Sequence, residues 1–240
     1  MKRYASVSFG KDSLCMLLML IAREEPPDEV VFFNSGMEFD ALYRVRDRVL
    51  PLLERHGIRY TELSPEHPFL YDMFEREVHA RDGSLHYGYS WCGGRCRWGT
   101  SQKTQALARH NRDGIDMVGI AFDEPERLGR DYRPNKRFPL YQWGVTETQA
   151  LQYCYEHGYR WLEDGLELYS LLNRVSCWCC RNKNLRELEN IYRYLPHYWQ
   201  GLCRLQERTH LPYRSGGETV FDLQKRFERN INPFKPKNYE

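Results

Sequence analysis

The segment Ser8-Phe9-Gly10-Lys11-Asp12-Ser13 carries residue types that suit an anion. Hydroxyls stand at both ends, a glycine permits close backbone approach, and the N–H groups of an opening helix follow. A polyphosphate fits such a loop best. Asp12 repels phosphate on its own and makes sense as a ligand for Mg²⁺ bridging the phosphates. The plainer reading is an N-cap serine followed by a charged first turn. Neither G-x-x-x-x-G-K-[ST] nor G-x-G-x-x-G occurs in the chain.

A second constellation is made of thiols. Cys92-Gly93-Gly94-Arg95-Cys96 and Cys177-Trp178-Cys179-Cys180 are two tight groups far apart in the chain. Cys177 and Cys180 have the C-x-x-C spacing that lets two thiolates converge on one metal, and Cys92 and Cys96 flank a loop able to fold around it. Together they make a four-thiolate site for Zn²⁺ or a [4Fe–4S] cluster. Cys179 is left as a nonligating thiol or as a substitute for Cys180. Cys15, Cys154 and Cys203 read as small buried hydrophobes.

Arg81, Arg95, Arg97, Lys103, Arg109 and Arg112 face only Asp82 across residues 81–112, a net charge of +5 that suits a nucleotide or a nucleic-acid strand as well as it suits a solvated face. Tyr87, Tyr89, Trp91 and Trp98 add stacking surfaces. Asp123-Glu124 follows a strand-like run and can orient substrate or a second metal, or simply cap the turn. The eight histidines show no metal-ligand spacing, and no G-x-S-x-G element supports a hydrolase triad.

The elements that must position these groups alternate. Tyr4–Ser8, Val30–Phe33 and Ile58–Leu63 read as strands. Leu14–Ile21 reads as a buried helix, and Leu42, Val45, Val49, Leu52 and Leu53 recur at helical spacing up to Gly57. A helix over Ser101–His110 and a fourth strand over Asp116–Ala121 continue the series. This order predicts a Rossmann-like parallel sheet with helices on both faces. Beyond residue 138 the pattern turns helical: Thr146–His157 capped by Thr146 and closed by Gly158, Lys183–Tyr194, Pro196–Glu207 and Thr219–Arg229. Two domains are expected, an α/β domain over residues 1–138 and a mainly helical region over 139–240.

The chain has 240 residues, 41% hydrophobic and 28% charged, which excludes disorder. No apolar run reaches the ~18 residues a membrane span needs. Thirty-five Lys and Arg against thirty-three Asp and Glu give +2, so global charge names no partner. Eight cysteines in a chain this large read as ligands or thiols in a reducing compartment, and the expected location is cytoplasmic.

The loop resembles the S-G-G-x-D-S pyrophosphatase-loop pattern of the adenine-nucleotide alpha-hydrolase superfamily, nearest its phosphoadenosine-phosphosulfate (PAPS) reductase-like branch. Phe9 stands where the first glycine of that pattern falls. Phe33-Asn34-Ser35-Gly36-Met37-Glu38-Phe39 is similar to the family's D-T-G-x-x-F. Gly119-Ile120-Ala121-Phe122-Asp123-Glu124 with Arg127 is similar to G-x-R-x-x-E-S-x-R, and Phe138–Trp143 to Y-P-L-x-x-W. The resemblance runs in order over roughly residues 4–205. It implies an ATP pyrophosphatase yielding AMP and pyrophosphate, with Ser8, Phe9, Gly10, Lys11, Asp12, Ser13, Ser35, Gly36 and Arg127 holding the nucleotide. Asp12, Lys11 and Lys103 would stabilise the leaving group. It also implies an iron–sulfur cluster in preference to zinc, and adenylation of a substrate such as tRNA or DNA in support of sulfur transfer from a donor protein. One alternative is a sulfonucleotide reductase, whose C-terminal catalytic cysteine has no counterpart here, since residues 204–240 contain no cysteine. The other is a non-catalytic nucleotide-binding module stapled by zinc.

Overall fold

A computed structural model describes residues 1–92, 96–128 and 134–230, with Trp98 described by its backbone alone. Expectations resting on Gly93, Gly94, Arg95 and the last ten residues lie outside the described residues. In chain order the elements begin with β1 (Lys2–Ser6), α1 (Lys11–Ala22), β2 (Glu29–Phe33), α2 (Asp40–Arg55) and β3 (Arg59–Leu63). Then come α3 (Phe69–Phe74), β4 (Glu77–His79), β5 (Leu85–Tyr87), a π-helical turn at Arg97–Gln102, and α4 (Lys103–His110). Next are β6 (Gly114–Val118), a 3-10 turn at Pro125–Arg127, β7 (Lys136–Arg137), α5 (Pro139–Gln142) and α6 (Glu147–Glu156). The chain continues through β8 (Leu162–Glu163), β9 (Leu166–Glu167), α7 (Leu168–Leu171), α8 (Leu185–Tyr194), α9 (Pro196–Glu207) and α10 (Val220–Arg229).

Two compact units share these elements. The first comprises Met1–Asn34, Asp40–Ser64 and Lys103–Trp161, and the second Ser35–Phe39, Pro65–Gln102 and Leu162–Glu240. The units are interleaved in sequence, so no single boundary at residue 138/139 separates them. Residues 139–161 stay with the sheet unit because α5 and α6 pack on α1.

In the first unit five parallel strands form a Rossmann-like sheet in the order β3-β2-β1-β6-β7. Every residue of β2 is buried, as expected of a strand covered on both faces. α1 is also buried nearly all round, with Leu14, Cys15, Met16, Leu17, Leu18 and Leu20 inside. Each such side chain contributes roughly 1.5–3 kcal/mol by leaving water, which fixes the start of α1 against the sheet. From β1 the chain first builds outward through β2 and β3, and later places β6 on the other side of β1. The direction of winding therefore reverses between β1 and β6, and ligands of open α/β sheets bind outside the carboxyl ends of the strands at such a reversal.

In the second unit α8, α9 and α10 pack together. Tyr192, Trp199 and Phe227 meet at centroid distances of 5.3–5.9 Å. Asn184 and Thr219 head α8 and α10 with capping boxes. The helix starts expected at Lys183 and Thr219 move inward for that reason, since those segments begin as caps. The small hairpins β4–β5 and β8–β9 and the π turn were not foreseen, their strands being only two or three residues long. Among the described residues, no helix is long and apolar enough to cross a membrane.

Candidate functional site

The loop from Val7 to Gly10 joins β1 to α1 at the sheet's reversal. Phe9 takes a left-handed backbone, φ 58°, the conformation that glycine adopts at no steric cost. Two anchors hold it there. Its ring is fully buried and packs edge-on against Phe32, with centroids 5.2 Å apart. Its carbonyl accepts a 2.7 Å hydrogen bond from the indole N–H of buried Trp161. The loop thus keeps a glycine-like backbone with a phenylalanine in the position. Ser13 Oγ accepts from the Ser8 amide at 3.1 Å and donates to the Gly10 carbonyl at 3.1 Å, drawing the loop closed.

Across the reversal, the segment after β6 comes very close. A Cβ built on Gly119 would lie 2.8 Å from the Asp12 carbonyl oxygen, Ser13 Cα and Ser13 N, all of them backbone. Only glycine fits. The chain then runs to Glu124, and the carboxylates of Asp12, Glu124 and Glu147 can each place an oxygen within 4.8 Å of the others. Lys11 Nζ lies 2.8 Å from Asp12 Oδ1 and 3.1 Å from Glu147 Oε1, and Arg127 pairs with Glu124.

Three carboxylates face two cations, an all-oxygen donor set with a residual negative charge. It fits a hard divalent cation such as Mg²⁺. Burial pushes the Asp12 carboxyl up, opposed by Lys11 and reinforced by Glu147 and Glu124. Lys11 is 7% exposed; burial lowers it, and its two carboxylate partners outweigh that and raise it.

Several expected residues meet here. Ser8, Phe9, Gly10, Lys11, Asp12 and Ser13 form the loop, and Arg127 reaches it through Glu124. Lys11 is engaged with carboxylates, which makes it a positioning residue for Asp12. Lys103 opens α4. Glu147 was missed altogether. As the first residue of a helix headed by a Thr146–Gln149 capping box, it reads as an ordinary first-turn acid.

Ser35 and Gly36 belong to the second unit. There Ser35 Oγ donates to Glu38 Oε1 at 2.8 Å and lies 3.6 Å from Cys177 Sγ. The Cys177–Cys180 segment is a tight turn closed by a Cys180 N–H to Cys177 carbonyl bond of 3.2 Å. It is pinned by the Trp178 amide on the Met37 carbonyl and by Tyr213 Oη on the Cys180 carbonyl, at 2.9 and 2.8 Å.

Cys96 opens the π turn, and a Cβ on Gly99 would lie 3.7 Å from Cys96 Sγ and 3.6 Å from Cys177 Sγ, so the two sulfurs flank this glycine. Burial pushes the Cys177 thiol up to about 12, with Glu38, Cys180 and Cys96 adding to it. Burial also raises buried Cys179, which feels Cys177, Cys180 and Cys96. Cys92 is raised by burial and opposed by Arg97 and Arg181. Cys96 and Cys177 thus meet at Gly99, with Cys179 and Cys180 on the same turn as Cys177.

Thiols are soft donors that fit zinc or an iron–sulfur cluster. Sulfurs sharing one Zn²⁺ at ~2.3 Å lie roughly 3.8 Å apart. Among the described residues no three of these sulfurs come within 4.8 Å of one another. Cys15 and Cys154 are fully buried as expected, and Cys154 Sγ donates to the Lys11 carbonyl at 3.4 Å. Cys203 is only half-buried and leans on Gln224.

No protein-family model matches the sequence. The chain is similar to an uncharacterized protein of Methanocaldococcus jannaschii, 26% identical over 220 residues, covering 83% of this chain and 40% of that one. It thus spans less than half the length of that relative.

Proposed function

We propose that the chain is a cytoplasmic ATP pyrophosphatase of the PAPS reductase-like kind, cleaving ATP to AMP and pyrophosphate to adenylate a substrate in support of sulfur transfer. The observation that carries this reading is the convergence of Asp12, Glu124 and Glu147 on the β1–α1 loop at the sheet's winding reversal. Loop amides and the first turn of α1 offer N–H groups to the β and γ phosphates. An acceptor oxygen attacks the α phosphorus, the bond to the bridging oxygen breaks, and pyrophosphate leaves with that oxygen. Mg²⁺ held by the three carboxylates would neutralise charge on the leaving group. Lys11 keeps Asp12 and Glu147 in place, and Gly119 lets the post-β6 segment reach the loop.

Cys96, Cys177 and Cys180, with Cys92 or Cys179, would hold a [4Fe–4S] cluster or Zn²⁺. tRNA or DNA is the acceptor class, with a protein as sulfur donor. Eight cysteines with no disulfide among the described residues would suit a reducing compartment. Incubation with labelled ATP and Mg²⁺ tests the reading. AMP and pyrophosphate are expected, and ADP and phosphate would overturn it.

A further inference from the structure

The second unit contains a cavity of about 460 Å³, within the range of ligand sites, whose walls include Met37, Leu70, Trp178, Tyr198 and Leu205. Two of those walls are flat. The rings of Trp178 and Tyr198 stand with centroids 5.9 Å apart and planes 37° from each other. Tyr198 is fixed by its hydroxyl on Glu163 at 3.0 Å and by edge contact with Phe39 at 4.7 Å. Trp178 lies against bare backbone, because a Cβ on Gly201 would fall 3.0 Å from two of its ring carbons.

His197, Arg204 and Arg208 also line the cavity. His197 is matched by Asp164 at 3.1 Å and Arg208 by Glu75 at 3.2 Å. Arg204 is exposed and makes no ion pair among the described residues.

We propose that this cavity takes one base of a single-stranded nucleic acid, stacked on Trp178 with buried Tyr198 backing that ring, and with its phosphate on Arg204. Aromatic faces that accept any base, beside guanidinium groups that track the backbone, are the two components of strand binding. The phosphodiester of a base stacked here would also meet the exposed, ion-pair-free Arg204. Trp178 also sits between Cys177 and Cys179, so a strand held here lies beside the thiol group. That last step, which makes the strand the sulfur acceptor, rests on the function proposed above. The binding itself does not.

The test is fluorescence anisotropy of the full chain with a labelled oligothymidylate and a labelled oligouridylate of about twelve nucleotides, at low salt. Trp178→Leu should weaken binding roughly five- to 150-fold, the range of losing one stacked base. Arg204→Gln should weaken it at least threefold and flatten its salt dependence. Glu207→Gln, on the same helix, should not weaken it. Melting curves identify any variant that fails to fold, and Gly201→Ala, which displaces the Trp178 ring, then serves in place of Trp178→Leu.

Absence of strand binding by the wild type, or binding indifferent to both Trp178 and Arg204, would overturn the proposal. So would thymidine or uridine monophosphate binding as tightly as the strand, since the site would then be one for free nucleotides. Asp12→Ala separates this inference from the ATP reading: strand binding should survive it, and its loss would place the strand at the loop and refute the cavity.

Discussion

The Lys11 ammonium lies 3.1 Å from the carboxylate of Glu147, the first residue of α6, while it also holds the neighbouring Asp12 at 2.8 Å. One buried cation therefore keeps two of three clustered acids from repelling each other. Lys11→Met should lower the unfolding free energy by about 2–3 kcal/mol, since it strands charge in a poorly solvated site. Added Mg²⁺ should raise the melting temperature more in this variant than in the wild type, because the ion replaces the missing cation. An unchanged melting temperature without Mg²⁺ would contradict this arrangement.

Gly119 has no room for a methyl group against the backbone of Asp12 and Ser13. Gly119→Ala should push the loop out of register and weaken ATP binding at least tenfold. Calorimetric titration reads this directly. Wild-type affinity would mean that the loop backbone does not set the site.

The loop and its sheet were legible because hydrophobic runs and turn residues alternate on a short scale in residues 1–63. Phe9 in the glycine position was visible too. Its left-handed backbone was not, because the two groups that hold it, Phe32 and Trp161, are distant in sequence. Glu147 escaped for the same reason: no local spacing links a helix cap to residue 12. The C-x-x-C turn was plain, whereas Ser35 beside Cys177 was not, since that contact depends on how residues 35–39 join the second unit.

The thiol group yields a prediction in metal content. If the proposed centre holds iron or zinc, Cys96→Ser and Cys177→Ser should each lose it, because their sulfurs flank the same glycine. Cys15→Ser and Cys154→Ser should retain it, being packed in the first unit's core. Metal analysis with absorbance in the cluster's charge-transfer region distinguishes iron from zinc. Full metal in both of the first two variants would dissolve the proposed centre.

Acid stability rests on another buried acid. Glu29 is 1% exposed; burial raises its carboxyl, but hydrogen bonds from Lys2, Thr61 and His110 outweigh this and bring it down from 4.5 to about 2. The unfolded chain thus binds the proton more readily than the folded one. This contribution, about 3 kcal/mol, is complete above pH ~4.5 and fades as pH falls towards ~2. In urea titrations at several pH values, Glu29→Gln should be less stable than wild type near neutrality and should flatten that acid slope. Parallel pH profiles for the two proteins would refute it.

The central claim is attack at the α phosphorus of ATP at the Asp12 loop. It is tested most directly by running the reaction with Mg²⁺ in ¹⁸O-labelled water, which then serves as the acceptor, for the wild type and Asp12→Ala in parallel. Mass spectrometry of the products should find the label in AMP and none in pyrophosphate, with pyrophosphate release lost in a normally melting Asp12→Ala variant. Label in pyrophosphate or in inorganic phosphate, or undiminished turnover by Asp12→Ala, would contradict the account.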